Sequence, residues 1–194
     1  EATGYAHLYT VNADGSNREA LTSGDWEVLG VTIPEDRSRF LLTTNEGSPF
    51  NQHVSWMGFD GDREVITEGD GRFRATLSPD GRRFAFVHDV ANRPSELFLA
   101  DTRRPKEMEQ VTTSPTQAWA SFDWKKPEIV QFESEDGTMV PARIYRPADM
   151  GAQANGAGVI FVHGSGYAHN VHNYFSSNYR EYMFNHLLAA AGYT

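Results

Sequence analysis

The chain has 194 residues, of which 39% are hydrophobic and 22% charged, with a formal net charge of −9; that is a folding composition and excludes wholesale disorder. The acidic balance (26 Asp and Glu against 17 Lys and Arg, with no basic run longer than two) disfavours nucleic acid or an anionic membrane surface as a partner. Cysteine is absent, which excludes disulfides, thiolate zinc sites and a cysteine nucleophile, and no apolar run approaches the ~20 residues that a spanning helix needs.

From the N-terminus, residues 7–11 read as a strand and Asn12-Ala13-Asp14-Gly15 as its turn. An apolar-Thr pair, Leu21-Thr22, follows, and the same pair returns as Ile66-Thr67 and Val111-Thr112, each time 45 residues on. Upstream of the second pair lie a strand at 53–59 and Asp60-Gly61; upstream of the third, a strand at 96–100 and a turn at 101–105. Pro34 and Pro79 keep the same interval, and each precedes a further strand, at 39–43 and 82–87. Asp-Gly supplies the positive φ of tight hairpins, and proline fixes the first corner of a turn. About four short strands per period of ~40–50 residues define β-propeller blades. A plain antiparallel sandwich would show similar strands without the fixed interval. A blade cannot bury both faces alone, so two and a half of them are not expected to be stable by themselves.

The texture changes after Trp124-Lys125-Lys126-Pro127. Residues 128–134 alternate as a strand, Glu135-Asp136-Gly137-Thr138 turn the chain, and 139–145 return before Arg146-Pro147. A loop at 149–158 leads to Val159-Ile160-Phe161-Val162, a continuous apolar run of the buried-strand type, stopped by His163-Gly164-Ser165-Gly166-Tyr167. A helix of about fifteen residues follows. Its expected buried stripe is Tyr179, Met183, Leu187 and Ala190, widened by Tyr182 and Leu188, with Ser176 or Ser177 as cap and Gly192 at the C-terminal stop. Hairpin, buried strand, Gly-rich loop, helix and a returning strand at Tyr193-Thr194 open an α/β sheet. The expected division is therefore propeller blades over 1–126 and the start of an α/β-hydrolase domain over 127–194. Both ends read as cut from a longer chain.

Three stretches resemble the prolyl oligopeptidase family of serine peptidases, and within it the dipeptidyl peptidase IV-like branch: residues 21–28 as a blade segment, 130–138 as the hairpin that opens the hydrolase domain, and 159–167 as the strand and Gly-rich loop that follow. The resemblance implies a propeller capping an α/β-hydrolase domain. The implied chemistry is acyl transfer to a serine of a Ser-Asp-His triad on oligopeptides, often after Pro or Ala, without metal or organic cofactor. It also implies that no catalytic triad residue lies in this chain, since all three would follow Thr194. Gly164-Ser165-Gly166 lacks the G-x-S-x-G spacing of a nucleophile elbow. What the chain holds is the oxyanion loop, with His163, Gly164, Ser165, Gly166 and Tyr167 as candidates. In that branch a tyrosine hydroxyl occupies the position of His163, so a side chain at 163 or 167 or a backbone N–H is the expected donor; a purely structural hydrogen bond of His163 is the alternative.

The branch's glutamate pair for a substrate's free N-terminus would precede this chain. The resemblance further implies a peptide substrate, a possible homodimer of the complete protein and a periplasmic or secreted location. Two other readings stay open: a non-catalytic propeller module that binds peptides or proteins, and an esterase or acylaminoacyl hydrolase of the same architecture. His169 and His172 match no zinc spacing. Residues 14–17 and 60–62 lack the closing Glu of a calcium loop. Glu133, Glu135 and Asp136 read as solvated charge on a hairpin. The tryptophans at 26, 56, 119 and 124 read as packing on blade strands.

Overall fold

The 45-residue repeat folds as two antiparallel sheets of four strands each. The computed structural model describes residues 3–166 and 168–194, with residues 179–182 followed for their backbone alone. A short hairpin, β1 (Tyr9–Thr10) and β2 (Glu19–Ala20), comes first. The first sheet has β3 (Val28–Thr32), β4 (Phe40–Thr44), β5 (His53–Met57) and β6 (Arg63–Val65) side by side in sequence order. The second repeats that order with β7 (Arg72–Leu77), β8 (Arg83–Val90), β9 (Arg93–Asp101) and β10 (Glu109–Gln110). Sequential antiparallel strands joined by tight turns are a propeller-like arrangement. The turns work as the Asp residues foretell. Carboxylates of Asp14, Asp36, Asp60, Asp80 and Asp101 each accept the backbone N–H two residues on, the Asx turn that makes Asp a turn former.

Alternation along the strands places one core between the sheets. Leu41, Val54 and Trp56 from the first sheet, Ile66 from the segment that joins them, and Phe73, Phe84, Phe86 and Ala100 from the second are all buried in it. On the other face of the first sheet, Phe40, Leu42 and Met57 pack with Leu8, Leu21 and Val28, which seats the β1–β2 hairpin there.

The recurring threonines have a common job. Thr22, Thr67 and Thr112 each turn Oγ1 toward a backbone N–H one period element earlier: Leu8 at 2.9 Å, Val54 at 2.8 Å and Leu97 at 2.9 Å. Beside the first two sits a histidine, His7 at 3.2 Å and His53 at 3.4 Å from the hydroxyl. In the third the histidine is replaced by buried Glu96, whose carboxylate accepts from the Thr112 hydroxyl and from the N–H and hydroxyl of Ser114. Burial holds His53 below its ordinary value of 6.5, against the opposing pull of Glu68 and Asp70. A histidine that takes a proton less readily when folded leaves stability intact above 6.5 and withdraws it as pH falls below that value toward the depressed one. The expected result is a urea midpoint that drops between pH 7.5 and pH 5.5 more steeply in the native chain than in His53→Gln; equal slopes would refute the assignment.

The chain divides into two compact units, residues 1–89 with 95–114, and residues 90–94 with 115–194. In the second, α1 (Gln117–Ala120) starts at Thr116, whose hydroxyl accepts from Trp119 N. A hairpin of β11 (Glu128–Glu133) and β12 (Met139–Ile144) follows, then a single 3-10 turn at Pro147–Met150 and α2 (Tyr179–Ala190). Tyr145 and Ala189 are buried against Trp119, Trp124, Met150 and Phe175. Trp119 and Trp124 therefore lie on no blade strand. They stack on each other, ring centroids 4.3 Å apart, and Trp124 also meets His186 at 5.1 Å.

Two expectations for this unit are corrected. Residues 159–162 form no strand and are exposed, Ile160 at 88% and Val162 at 82%: a buried strand needs neighbours on both sides, and the one backbone bond along this segment among the described residues is Val159 N–H to Thr194 O. Of the expected stripe on α2, the side chains of Tyr179 and Tyr182 lie outside those described, and the described part differs. Met183 and Leu187 are exposed, while Ala189 is buried and His186 faces Tyr145 and accepts Lys125 N–H at 2.8 Å. An apolar-only pattern misses a histidine that supplies both a ring and an acceptor.

The end of α2 is as expected. Gly192, at φ +93°, closes a Schellman motif in which Gly192 N donates to Ala189 O and Tyr193 N to Leu188 O. A Cβ at 192 would also lie 2.7 Å from Gln153 O. Ahead of the helix the Ser176 hydroxyl accepts from Asn178 N.

Candidate active-site loop

The loop begins where the chain leaves the apolar run. Thr194 N donates to Ala157 O at 3.1 Å and Val159 N donates to Thr194 O at 2.8 Å. One residue bonded to two positions flanking Gly158 is the hydrogen-bond pattern of a parallel pair. Between these partners lie the loop and α2. Extended segment, loop, helix and return follow one another in the order of a crossover unit.

His163, Gly164, Ser165 and Gly166 come together there as consecutive exposed residues. Tyr167, the fifth candidate, lies outside the described residues. The His163 ring Nδ1 is 3.1 Å from Gly164 O, a local contact with the next residue's carbonyl. Ser165 takes φ +74°, a left-handed conformation uncommon outside glycine. The flanking glycines do not carry that torsion. A Cβ at either Gly164 or Gly166 would meet nothing within 4 Å, so the backbone there is approachable from open space. Ser165 O then accepts Ala168 N–H, closing a turn.

Beyond the turn the loop packs against its own side chains. His172 is buried, lies flat on Tyr174 with centroids 3.7 Å apart and turns Nδ1 to Tyr174 O at 2.9 Å. His169 and His172 meet edge to face at 6.0 Å, and among the described residues no group of three His, Cys, Asp or Glu could hold a metal ion. Sequence reasoning missed Arg143, whose guanidinium reaches Asn170 O from β12. On the adjoining hairpin, Asp136 is drawn to about 2 by the Ser134 hydroxyl and the N–H of Thr138. An acid that strong is a turn anchor and a poor proton donor near neutral pH.

Repeated four-stranded sheets followed by a hairpin and a strand–loop–helix unit define a propeller-like protein with a second, mixed unit. Residues 1–88 match the family model described as the dipeptidyl peptidase IV (DPP IV) N-terminal region. Dipeptidyl peptidase 4 of Arthroderma otae is 25% identical over 142 residues, covering 69% of this chain and 18% of that protein. Human dipeptidyl peptidase 8 is 24% identical over 187 residues, covering 90% and 21%. In fold, the chain superimposes along its whole length on the crystal structure of Porphyromonas gingivalis dipeptidyl peptidase 4, with a TM-score of 0.80 at 18% identity and 27% of that chain covered. The chain is thus similar to dipeptidyl peptidases of the IV-like branch, and it spans about a fifth of the length of these curated relatives.

Proposed function

We propose that this chain is the propeller-end and hydrolase-start portion of a serine peptidase that cleaves oligopeptides through an acyl-enzyme, with blades over 1–126 and the opening of an α/β-hydrolase domain over 127–194. The observation that carries this reading is the parallel hydrogen-bond pair between Thr194 and residues 157 and 159 around α2. It supports a crossover unit, and with it a loop at 163–167 placed as an oxyanion loop. The sequence similarity to named dipeptidyl peptidases supports the substrate class.

In this reading a serine elsewhere in the protein attacks the scissile carbonyl, and the carbonyl oxygen takes up the negative charge. Donors of the 163–167 loop stabilise that oxygen, each contributing about 3–4 kcal/mol when fixed in advance. The exposed His163 ring can donate through Nε2 only with both ring nitrogens protonated, or after Nδ1–H leaves Gly164 O and the tautomer changes, because a neutral ring that donates through Nδ1 leaves Nε2 an acceptor. The amine leaves, and water then hydrolyses the acyl-serine. A histidine followed by Gly164, in place of the branch's tyrosine, also favours a second reading as an esterase or acylaminoacyl hydrolase on the same architecture.

The test uses the complete protein that carries this sequence. A serine-directed phosphonate should label it, and proline-ended dipeptidyl anilides should be turned over in preference to acyl esters. His163→Phe is expected to lower kcat by about tenfold to several hundredfold. Unchanged turnover would remove His163 from the reaction, and absence of labelling would overturn the peptidase reading.

A further inference from the structure

We propose that Arg143 is a positioning residue for the candidate oxyanion loop, an inference that rests on the reading of residues 163–167 given above. Arg143 stands on β12, paired across the hairpin with Ile129 of β11. Its Nη1 donates to Asn170 O at 3.2 Å, and its Nη2 donates to the Tyr145 hydroxyl at 3.4 Å. The third donor, Nε, is buried and has no hydrogen-bond partner among the described residues. The residue is half-buried, and its two bonded nitrogens point at two different structures.

One of those structures is rigid. Tyr145 is 9% exposed and packs on His186 at 5.1 Å, inside the aromatic cluster that also holds Ala189 and Trp124. The other is the stem of the loop, because Asn170 follows the Ser165–Ala168 turn and precedes buried His172. Arg143 therefore ties the stem to the best-packed part of the unit from outside the loop. A planar fork with fixed angles between its donors can hold two acceptors in one orientation, whereas an ammonium is a point charge on a flexible stem. A hydrogen bond from a charged donor is roughly twice as strong as a neutral one, which suits a single contact that must hold a loop containing two glycines. Displacement of a catalytic donor by about 1 Å can cost up to a hundredfold in rate.

The experiment uses the complete protein with Arg143→Met and Arg143→Lys, assayed with a chromogenic dipeptidyl anilide. Arg143→Met is expected to lower kcat by about tenfold to a hundredfold while KM changes less than about twofold, because the loop meets the reacting oxygen and not the rest of the substrate. Arg143→Lys should fall between the two, and guanidinium ion added to Arg143→Met at low, non-denaturing concentration should restore part of kcat. A purely structural role would instead lower the melting temperature, alter kcat and KM together and give no rescue; that pattern, or an unchanged kcat, overturns the proposal. If the wild-type protein neither takes the phosphonate nor hydrolyses any substrate, the peptidase reading fails on its own. The decisive measurement for Arg143 is then amide hydrogen exchange. Residues 168–172 should exchange faster in Arg143→Met while the β11–β12 bonds keep their rates, and unchanged exchange at 168–172 refutes the tie.

Discussion

Phe84→Ala is expected to cost about 3–5 kcal/mol of unfolding free energy. The side chain has no solvent exposure and sits on β8 between two other rings, with Trp56 at 5.5 Å and Phe86 at 5.0 Å. Trp56 belongs to the first sheet and Phe86 to the second, so removing Phe84 opens a void between sheets whose backbones are pinned by their own ladders. Such a site collapses poorly, which puts the loss at the upper end for a large-to-small change. Phe132→Ala on β11 is the control: its ring is 54% exposed, and the change should stay within about 0.5 kcal/mol. Urea denaturation followed by tryptophan fluorescence measures both. A loss below about 1 kcal/mol for Phe84→Ala would mean that the two sheets do not share this core.

The parts of the molecule that were legible in the sequence are those whose signal is local and repeated. Thr22, Thr67 and Thr112 keep their interval because each must reach one backbone N–H in its own sheet. The Asp turns were legible for the same reason, the carboxylate bonding only two residues away. Gly192 stopped α2 as expected, since a Cβ there meets Gln153 O. Ile160 and Val162 show the limit of this kind of reading. Hydrophobicity records what a segment would bury, and these side chains are exposed along the part of the chain described here.

His186 and Arg143 were missed for a different reason. Their partners are a main-chain N–H and a main-chain carbonyl, 61 and 27 residues away in sequence. Every residue carries those groups, so no pattern of side chains announces the contact. The tryptophans divided along the same line. Trp56 alternates correctly on β5 and belongs to the blade core, whereas Trp119 and Trp124 were grouped with it by ring type alone and in fact build the aromatic cluster of the second unit. That the loop candidates are consecutive made them easy to select. Which of them faces a substrate depends on the stem that Arg143 and His172 fix, which no spacing rule encodes.

Asp89→Ala is the second change expected to be severe, and it separates burial from attraction. Asp89 is fully buried at the end of β8, directly across from Arg72 of β7. Its carboxylate receives Arg72 Nη2 at 3.2 and 3.4 Å and the Ser95 hydroxyl at 2.9 Å, with Arg74 Nη2 at 3.8 Å. Removing the carboxylate takes from the Arg72 guanidinium, only 23% exposed, the buried acceptor it meets across the strand pair, and a loss of about 3–5 kcal/mol follows. Arg74 contributes less to that loss because its side chain is 53% exposed and can turn to water. The paired change Asp89→Leu with Arg72→Met should recover most of the stability, since two desolvated charges are replaced by packing of similar volume. A double-mutant cycle in urea tests the point directly. If the pair were as unstable as the sum of its single changes, the two residues would be uncoupled, and the loss would come from their separate contacts, such as Ser95 and Arg74 on Asp89. Near-wild-type stability for the pair would show that the ion pair costs about as much to bury as it returns.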